Sequence, residues 1–169
     1  MMVFLCGFSG AGKTYLLKNL KQSMTDSNWC FFDLDEEIEK QNGESIWQIV
    51  KEHGINHFRK LETHQLIKVL ESKALNNCVI ALGGGTLDLN FELIKNTAEA
   101  KLVWLDIPFE GCFARISGDN LRPLVSLGKE KLEQLYVQRC ANYQKADLIL
   151  SKSQIENVKK LNQLIDLLK

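Results

Sequence analysis

The chain has 169 residues, enough for one domain with a sizeable buried core. Its 45% hydrophobic and 25% charged residues are ordinary for a soluble globular protein, and 21 basic side chains balance 21 acidic ones. That balance argues against a general binder of nucleic acid or anionic membrane. No apolar run has the length of a membrane span, and a strand-like segment at the very start leaves no space for a signal peptide, so the expected compartment is the cytoplasm.

The first element is the apolar run Met2-Val3-Phe4-Leu5-Cys6, which leads directly into Gly7-Phe8-Ser9-Gly10-Ala11-Gly12-Lys13-Thr14. That octet is the phosphate-binding loop pattern: a glycine, four free positions, then Gly-Lys-Thr. Backbone N–H groups wrap a phosphate only where no Cβ intrudes, which is the use of Gly10 and Gly12 around Ala11. Lys13 is placed for the β- and γ-phosphates and the Thr14 hydroxyl for Mg²⁺. Leu16, Leu17, Leu20 and Met24 follow at helical spacing, so a helix N-terminus points at the anion. A plain glycine turn does not need the strand before and the helix after. The segment reads as a nucleoside triphosphate site.

The second strand is expected at Trp29-Cys30-Phe31-Phe32, followed by Asp33-Leu34-Asp35. In extended backbone, residues two apart face the same way, so both carboxylates are expected in the cleft. One beside Thr14 can hold Mg²⁺, and the other can orient or deprotonate a hydroxyl. The alternative is helix capping by Asp35-Glu36-Glu37. Residues 36–75 carry helical patterns too long for one crossover, with a break near Gly54, and this extra mass is expected beside the nucleotide loop. Within it, Arg59 can pair with Glu62 three residues on. His53, His57 and His64 fall close together. A zinc site is weighed against surface histidines and set aside, because Gly54 interrupts the helix and the spacing supplies no Cys or acidic ligand.

The third strand, Cys78-Val79-Ile80-Ala81-Leu82, runs into Gly83-Gly84-Gly85-Thr86. Three glycines are costly to order and serve close backbone approach or positive φ, here against a substrate ring or the γ-phosphate. A fourth strand is expected at Leu102–Leu105. Residues 109–127, with Gly111, Gly118, Asp119, Asn120 and Pro123, have the composition of a mobile loop. A late helix carries Arg139 and Tyr143 before the last strand, Asp147–Leu150. Arg59, Arg115, Arg122 and Arg139 are the only arginines, and Arg is the residue of planar, bidentate recognition of carboxylate and phosphate. Cysteines at 6, 30, 78, 112 and 140 form no CxxC pair and no metal-ligand spacing, so disulfides are not expected. Near-continuous apolar strands alternating with helices indicate one α/β domain with a five-stranded parallel sheet, its ligands bound beyond the carboxyl ends of the strands.

Taken together, the nucleotide loop, Asp33-Leu34-Asp35, Phe58-Arg59 with Glu62, the triple glycine, Asn120-Leu121-Arg122-Pro123-Leu124, and Arg139 with Tyr143 and Ala146-Asp147 resemble the shikimate kinase family from the first strand to about residue 150. The resemblance implies a three-layer P-loop kinase fold of the nucleoside-monophosphate-kinase type over residues 1–169, with a helical substrate-binding insertion at about 34–75 and a mobile lid at about 109–127. It implies transfer of the γ-phosphate of ATP to the 3-hydroxyl of shikimate by a cytoplasmic monomer, with Mg²⁺ as cofactor and no nucleic-acid or membrane partner.

By the same resemblance, Gly10, Ala11, Gly12, Lys13, Thr14, Tyr15, Arg115 and Arg122 bind ATP, with Arg115 stacked on adenine. Thr14 and Asp33 hold the metal. Asp35, Arg59, Gly83, Gly84, Gly85 and Arg139 bind shikimate, the two arginines at its carboxylate. Lys13, Asp35 and Arg122 are the catalytic set. Three positions depart from the family: Tyr15 and Leu82 stand where small hydroxyl residues are common, and Leu17 stands for a glycine. A kinase of another acidic polyol, such as gluconate, is the near rival. A nucleotide-dependent binding module without turnover is the distant one, and it has no need of a nucleophile-orienting carboxylate.

Overall fold

The computed structural model describes residues 1–24, 28–72, 77–119 and 123–169. In chain order the elements are β1 (Met2–Cys6), α1 (Lys13–Gln22), β2 (Cys30–Asp33), α2 (Leu34–Asn42), α3 (Ile46–His53), α4 (Ile55–Glu71), β3 (Cys78–Ala81), α5 (Leu87–Lys95), β4 (Ala100–Asp106) and α6 (Phe109–Ile116). A 3₁₀ turn (Pro123–Leu127), α7 (Lys129–Tyr143), β5 (Leu148–Ser151), α8 (Lys152–Asn157) and α9 (Leu161–Leu167) complete the chain. The five strands are all parallel and lie in the order β2-β3-β1-β4-β5. β1 and β3 are almost wholly buried, whereas β2 and β5, at the two edges, are only partly covered.

The strand order places the functional crevice. β1 connects outward to β2, while β3 connects past β1 to β4, so the two crossovers run in opposite directions. Right-handed crossovers then put α1 on one face of the sheet and α5 on the other. The loops leaving β1 and β3 diverge at that point, and ligands of open α/β sheets bind in such a crevice. These two loops are the phosphate-binding loop and the triple glycine.

The insertion after β2 folds as three helices. Gly43, in the left-handed region at φ +72°, ends α2, and a capping box between Ser45 and Gln48 starts α3. Gly54, at φ +83°, makes the expected break before α4. α4 ends at Glu71; Leu75, the expected end of the insertion, lies outside the described residues. One expectation needs correcting. Residues 109–116, read as loop, form α6, because Phe109, Cys112 and Ile116 recur at helical spacing and are buried. Glycine content hid that short apolar stripe. Among the described residues, no helix is long and apolar enough to cross a membrane.

Candidate active site

The loop from Gly7 to Gly12 bends sharply after β1. Gly10 sits at φ +86° and presses so closely on α6 that a Cβ would stand 2.5 Å from the Cys112 carbonyl oxygen. The Ala11 N–H donates to the Phe8 carbonyl at 3.0 Å, and the helix ladder begins with Leu16 N–H to Gly12 O at 2.9 Å. The amides of Lys13, Thr14 and Tyr15 therefore precede the ladder at the helix N-terminus, the arrangement that attracts anions. The Tyr15 side chain is 67% exposed, so only its backbone belongs to the loop, and Leu17 and Leu82 are both packed in the core.

Lys13 is 8% exposed and donates from Nζ to the carbonyls of Gly7 (2.7 Å) and Phe8 (3.0 Å). Burial lowers its pKa, against the upward pull of Asp35 first and of Asp33 more weakly. Arg115 reaches back from α6 to donate to the Gly10 carbonyl at 2.9 Å, placing its guanidinium over the loop. Arg122 lies outside the described residues.

The acidic pair divides its labour differently from the sequence reading. Asp33, not Asp35, caps α2: its Oδ1 accepts from the amides of Asp35 (3.1 Å) and Glu36 (3.4 Å). Its Oδ2 accepts from the Thr14 hydroxyl at 2.6 Å. Because the helix begins at Leu34, the two carboxylates converge through a helix start rather than through strand alternation. Asp35 stands in the first turn, free of any capping duty, and its Oδ1 is buried without a hydrogen-bond partner among the described residues. Burial, with Glu62 and Asp33 nearby, pushes its carboxyl up to about 7, although Lys13 and Arg59 pull the other way.

The three glycines after β3 have no positive φ, so close approach alone explains them. A Cβ on Gly83 would lie 2.6 Å from Glu62 Oε1 and 2.8 Å from Asp35 Oδ1. On Gly84 it would meet Ser9 at 2.6 Å from Oγ and 2.9 Å from the amide nitrogen, which is the physical seam between the two diverging loops. On Gly85 it would overlap the Nη2 atoms of both Arg59 and Arg139. Each guanidinium is held from behind. Arg59 pairs through Nη1 with Glu62, which is fully buried and also accepts from Thr86 Oγ1 at 2.6 Å. Arg139, 4% exposed, donates from Nε (3.0 Å) and Nη2 (2.9 Å) to Asp88 Oδ2, while its Nη1 is buried without a partner among the described residues. Tyr143 ties the same helix to the triplet by donating to the Gly84 carbonyl at 2.6 Å.

Thr14, Asp33, Asp35, Arg59 and the three glycines border one cavity of about 370 Å³, closed on the insertion side by α3 and α4. The cavity thus joins the phosphate loop, the Asp35 carboxyl group and the Arg59 guanidinium, and Arg139 meets Arg59 at Gly85 on its wall. Sequence reasoning missed Ser9, Thr86 and Asp88. Asp88 carried one faint signal, an acid in the first turn of a helix that follows the glycines. The histidine reading is also corrected in part. Glu44 and Glu52 bring their carboxylates within 4.8 Å of His53, but the group is largely exposed to solvent.

A family model described as shikimate kinase matches residues 9–169. The shikimate kinase of Persephonella marina is 34% identical over 149 residues, covering 88% of this chain and 87% of that protein. That of Aquifex aeolicus is 36% identical over 149 residues, covering 88% and 84%. Among solved structures, shikimate kinase from Acinetobacter baumannii in complex with shikimate superposes with a TM-score of 0.83 at 28% identity, over 98% of this chain and 91% of that one.

Proposed function

The chain belongs to the shikimate kinase family and transfers the γ-phosphate of ATP to the 3-hydroxyl of shikimate; from that premise we propose how its residues divide the work. The phosphates of ATP lie on the amides of Gly10, Ala11, Gly12, Lys13, Thr14 and Tyr15. Lys13 leaves its two loop carbonyls for the β- and γ-phosphates, and Arg115 flanks the nucleotide. Arg122 neutralises charge on the transferring group, a role that rests on its place in the sequence alone. Arg59 and Arg139 grip the shikimate carboxylate, and the backbone of Gly83, Gly84 and Gly85 forms the floor beneath the ring.

Asp35 accepts the proton of the 3-hydroxyl. The hydroxyl oxygen bonds to the γ-phosphorus, the bond to the bridging oxygen breaks, and ADP leaves with that electron pair. The observation that carries this reading is the convergence of the two guanidinium groups on Gly85, which lines the same cavity as Asp35, whose buried Oδ1 has no hydrogen-bond partner among the described residues. Thr14 Oγ1 and Asp33 Oδ2, 2.6 Å apart, are hard oxygen donors that suit Mg²⁺. When bound there, the ion supplies charge neutralisation at the phosphate oxygens.

We read the protein as a cytoplasmic monomer that works apart from membrane and nucleic acid, which its balanced charge supports. Residues 1–169 are taken as a single domain, with the insertion at about 34–75 closing on shikimate and 109–127 acting as lid. The test is ADP release measured with shikimate, gluconate and nucleoside monophosphates offered separately. Only shikimate should sustain turnover. Equal turnover with gluconate would make this an acidic-polyol kinase of the same fold, and ATP binding without turnover would favour a binding module.

A further inference from the structure

Arg139 is buried on α7, yet its guanidinium is not free to choose a direction. Nε and Nη2 both donate to Asp88 Oδ2, at 3.0 and 2.9 Å, across 51 residues of sequence. A guanidinium presents two edges with paired donors, one formed by Nε and Nη2 and the other by Nη1 and Nη2. Asp88 takes the first edge. The second remains, and its Nη1 is a buried donor without a partner among the described residues. That edge borders Gly85, where the Nη2 of Arg59 also converges.

We propose that Asp88 is a positioning residue for substrate binding: it holds Arg139 by one edge so that the other meets the carboxylate of shikimate in a bidentate pair. This rests on the reading of Arg139 as a carboxylate ligand. Asp88 matches, on the Arg139 side, what Glu62 does for Arg59. Two cations side by side repel, and a carboxylate behind each one holds the pair together while leaving their facing edges to a third carboxylate. A substrate carboxylate then meets donors already fixed in place, so little side-chain freedom is lost on binding. Asp88 itself is about one-third exposed and does not line the cavity, so it holds Arg139 from outside it.

The test is steady-state kinetics of Asp88→Ala, Asp88→Asn and Arg139→Ala, with shikimate and its methyl ester as substrates and melting curves for each protein. Asp88→Ala should raise KM for shikimate by about 10- to 100-fold, the range of a charge-assisted hydrogen bond, with kcat and the KM for ATP near native. Asp88→Asn keeps an acceptor oxygen and should recover most of the loss. The ester has no charge to pair, so its kcat/KM should change by less than about twofold in Asp88→Ala. An unchanged or lowered shikimate KM overturns the proposal, and so does an equal change with the ester or with ATP, which would mark a purely structural contact. Asp88→Ser, too short to span to Nε and Nη2, repeats the test if the alanine protein does not fold. If Arg139→Ala itself leaves the shikimate KM unaltered, the failure belongs to the Arg139 reading rather than to Asp88.

Discussion

Gly85→Ala isolates the claim that the triple glycine exists to let two arginines in. Gly85 has no positive φ, so alanine brings no backbone strain there. Its methyl group would overlap the Nη2 atoms of Arg59 and Arg139, the far ends of long side chains that can yield only by loosening their bonds to Glu62 and Asp88. Overpacking of this kind costs about 1–3 kcal/mol, and the stiffer unfolded chain returns about 0.4–1 kcal/mol. At roughly 2–4 °C per kcal/mol for a chain of this size, melting should fall by less than about 10 °C. Binding should suffer far more, because a displaced guanidinium surrenders a desolvated charge pair of about 2–5 kcal/mol. KM for shikimate should therefore rise about 30-fold or more while KM for ATP stays near native. Gly84→Ala is the internal contrast. Its methyl meets the Ser9 amide, which is backbone of the nucleotide loop, so the KM for ATP should rise as well. Both proteins are assayed by ADP release with each substrate varied in turn. A shikimate KM within threefold of native in Gly85→Ala, or equal rises for both substrates, would refute the close-approach argument.

Lys13→Met should keep the fold, since methionine supplies a similar apolar stem at this buried position without the charge, and should lower kcat at least 10²-fold; near-native turnover would remove the phosphate role. Asp35 also makes the free protein's stability depend on pH. Its folded pKa of about 7 lies above the unfolded value near 3.9, so its contribution is complete below about pH 4 and is lost as pH rises through 7. In buffer free of metal and nucleotide, Asp35→Asn should thus be more stable relative to native at pH 8 than at pH 5, by at most about 3 kcal/mol, and its melting temperature relative to native should be correspondingly higher. A difference that is flat across that range would show the carboxyl to be well solvated.

Much of this was legible because it is local. The phosphate loop lies between a strand and a helix adjacent in sequence, and five apolar runs define the sheet to within about two residues at each strand end. The glycines at 83–85 were conspicuous by composition, and Arg59 and Glu62 are helical neighbours. What stayed hidden depends on where a helix begins or on contacts across the fold. A two-residue shift of the α2 start moves the cap from Asp35 to Asp33 and changes what each carboxylate is free to do. The pairing of Asp88 with Arg139 joins α5 to α7, and beyond an acid in the first turn of α5 neither helix carries a local signal for it. Helix α6 was masked by Gly111 although Phe109, Cys112 and Ile116 bury one side of it.

The central claim is that Asp35 takes the proton from the attacking hydroxyl, and kcat of Asp35→Asn with saturating shikimate and ATP tests it most directly. Asparagine preserves size and hydrogen-bonding reach, and Asp33 holds the helix cap, so the fold should stay intact. Loss of a general base lowers rates by about 10²- to 10⁴-fold. If Asp35 is that base, kcat falls by that order with melting no lower than native at pH 8. A kcat within threefold of native, in a protein that still melts cooperatively, would contradict it.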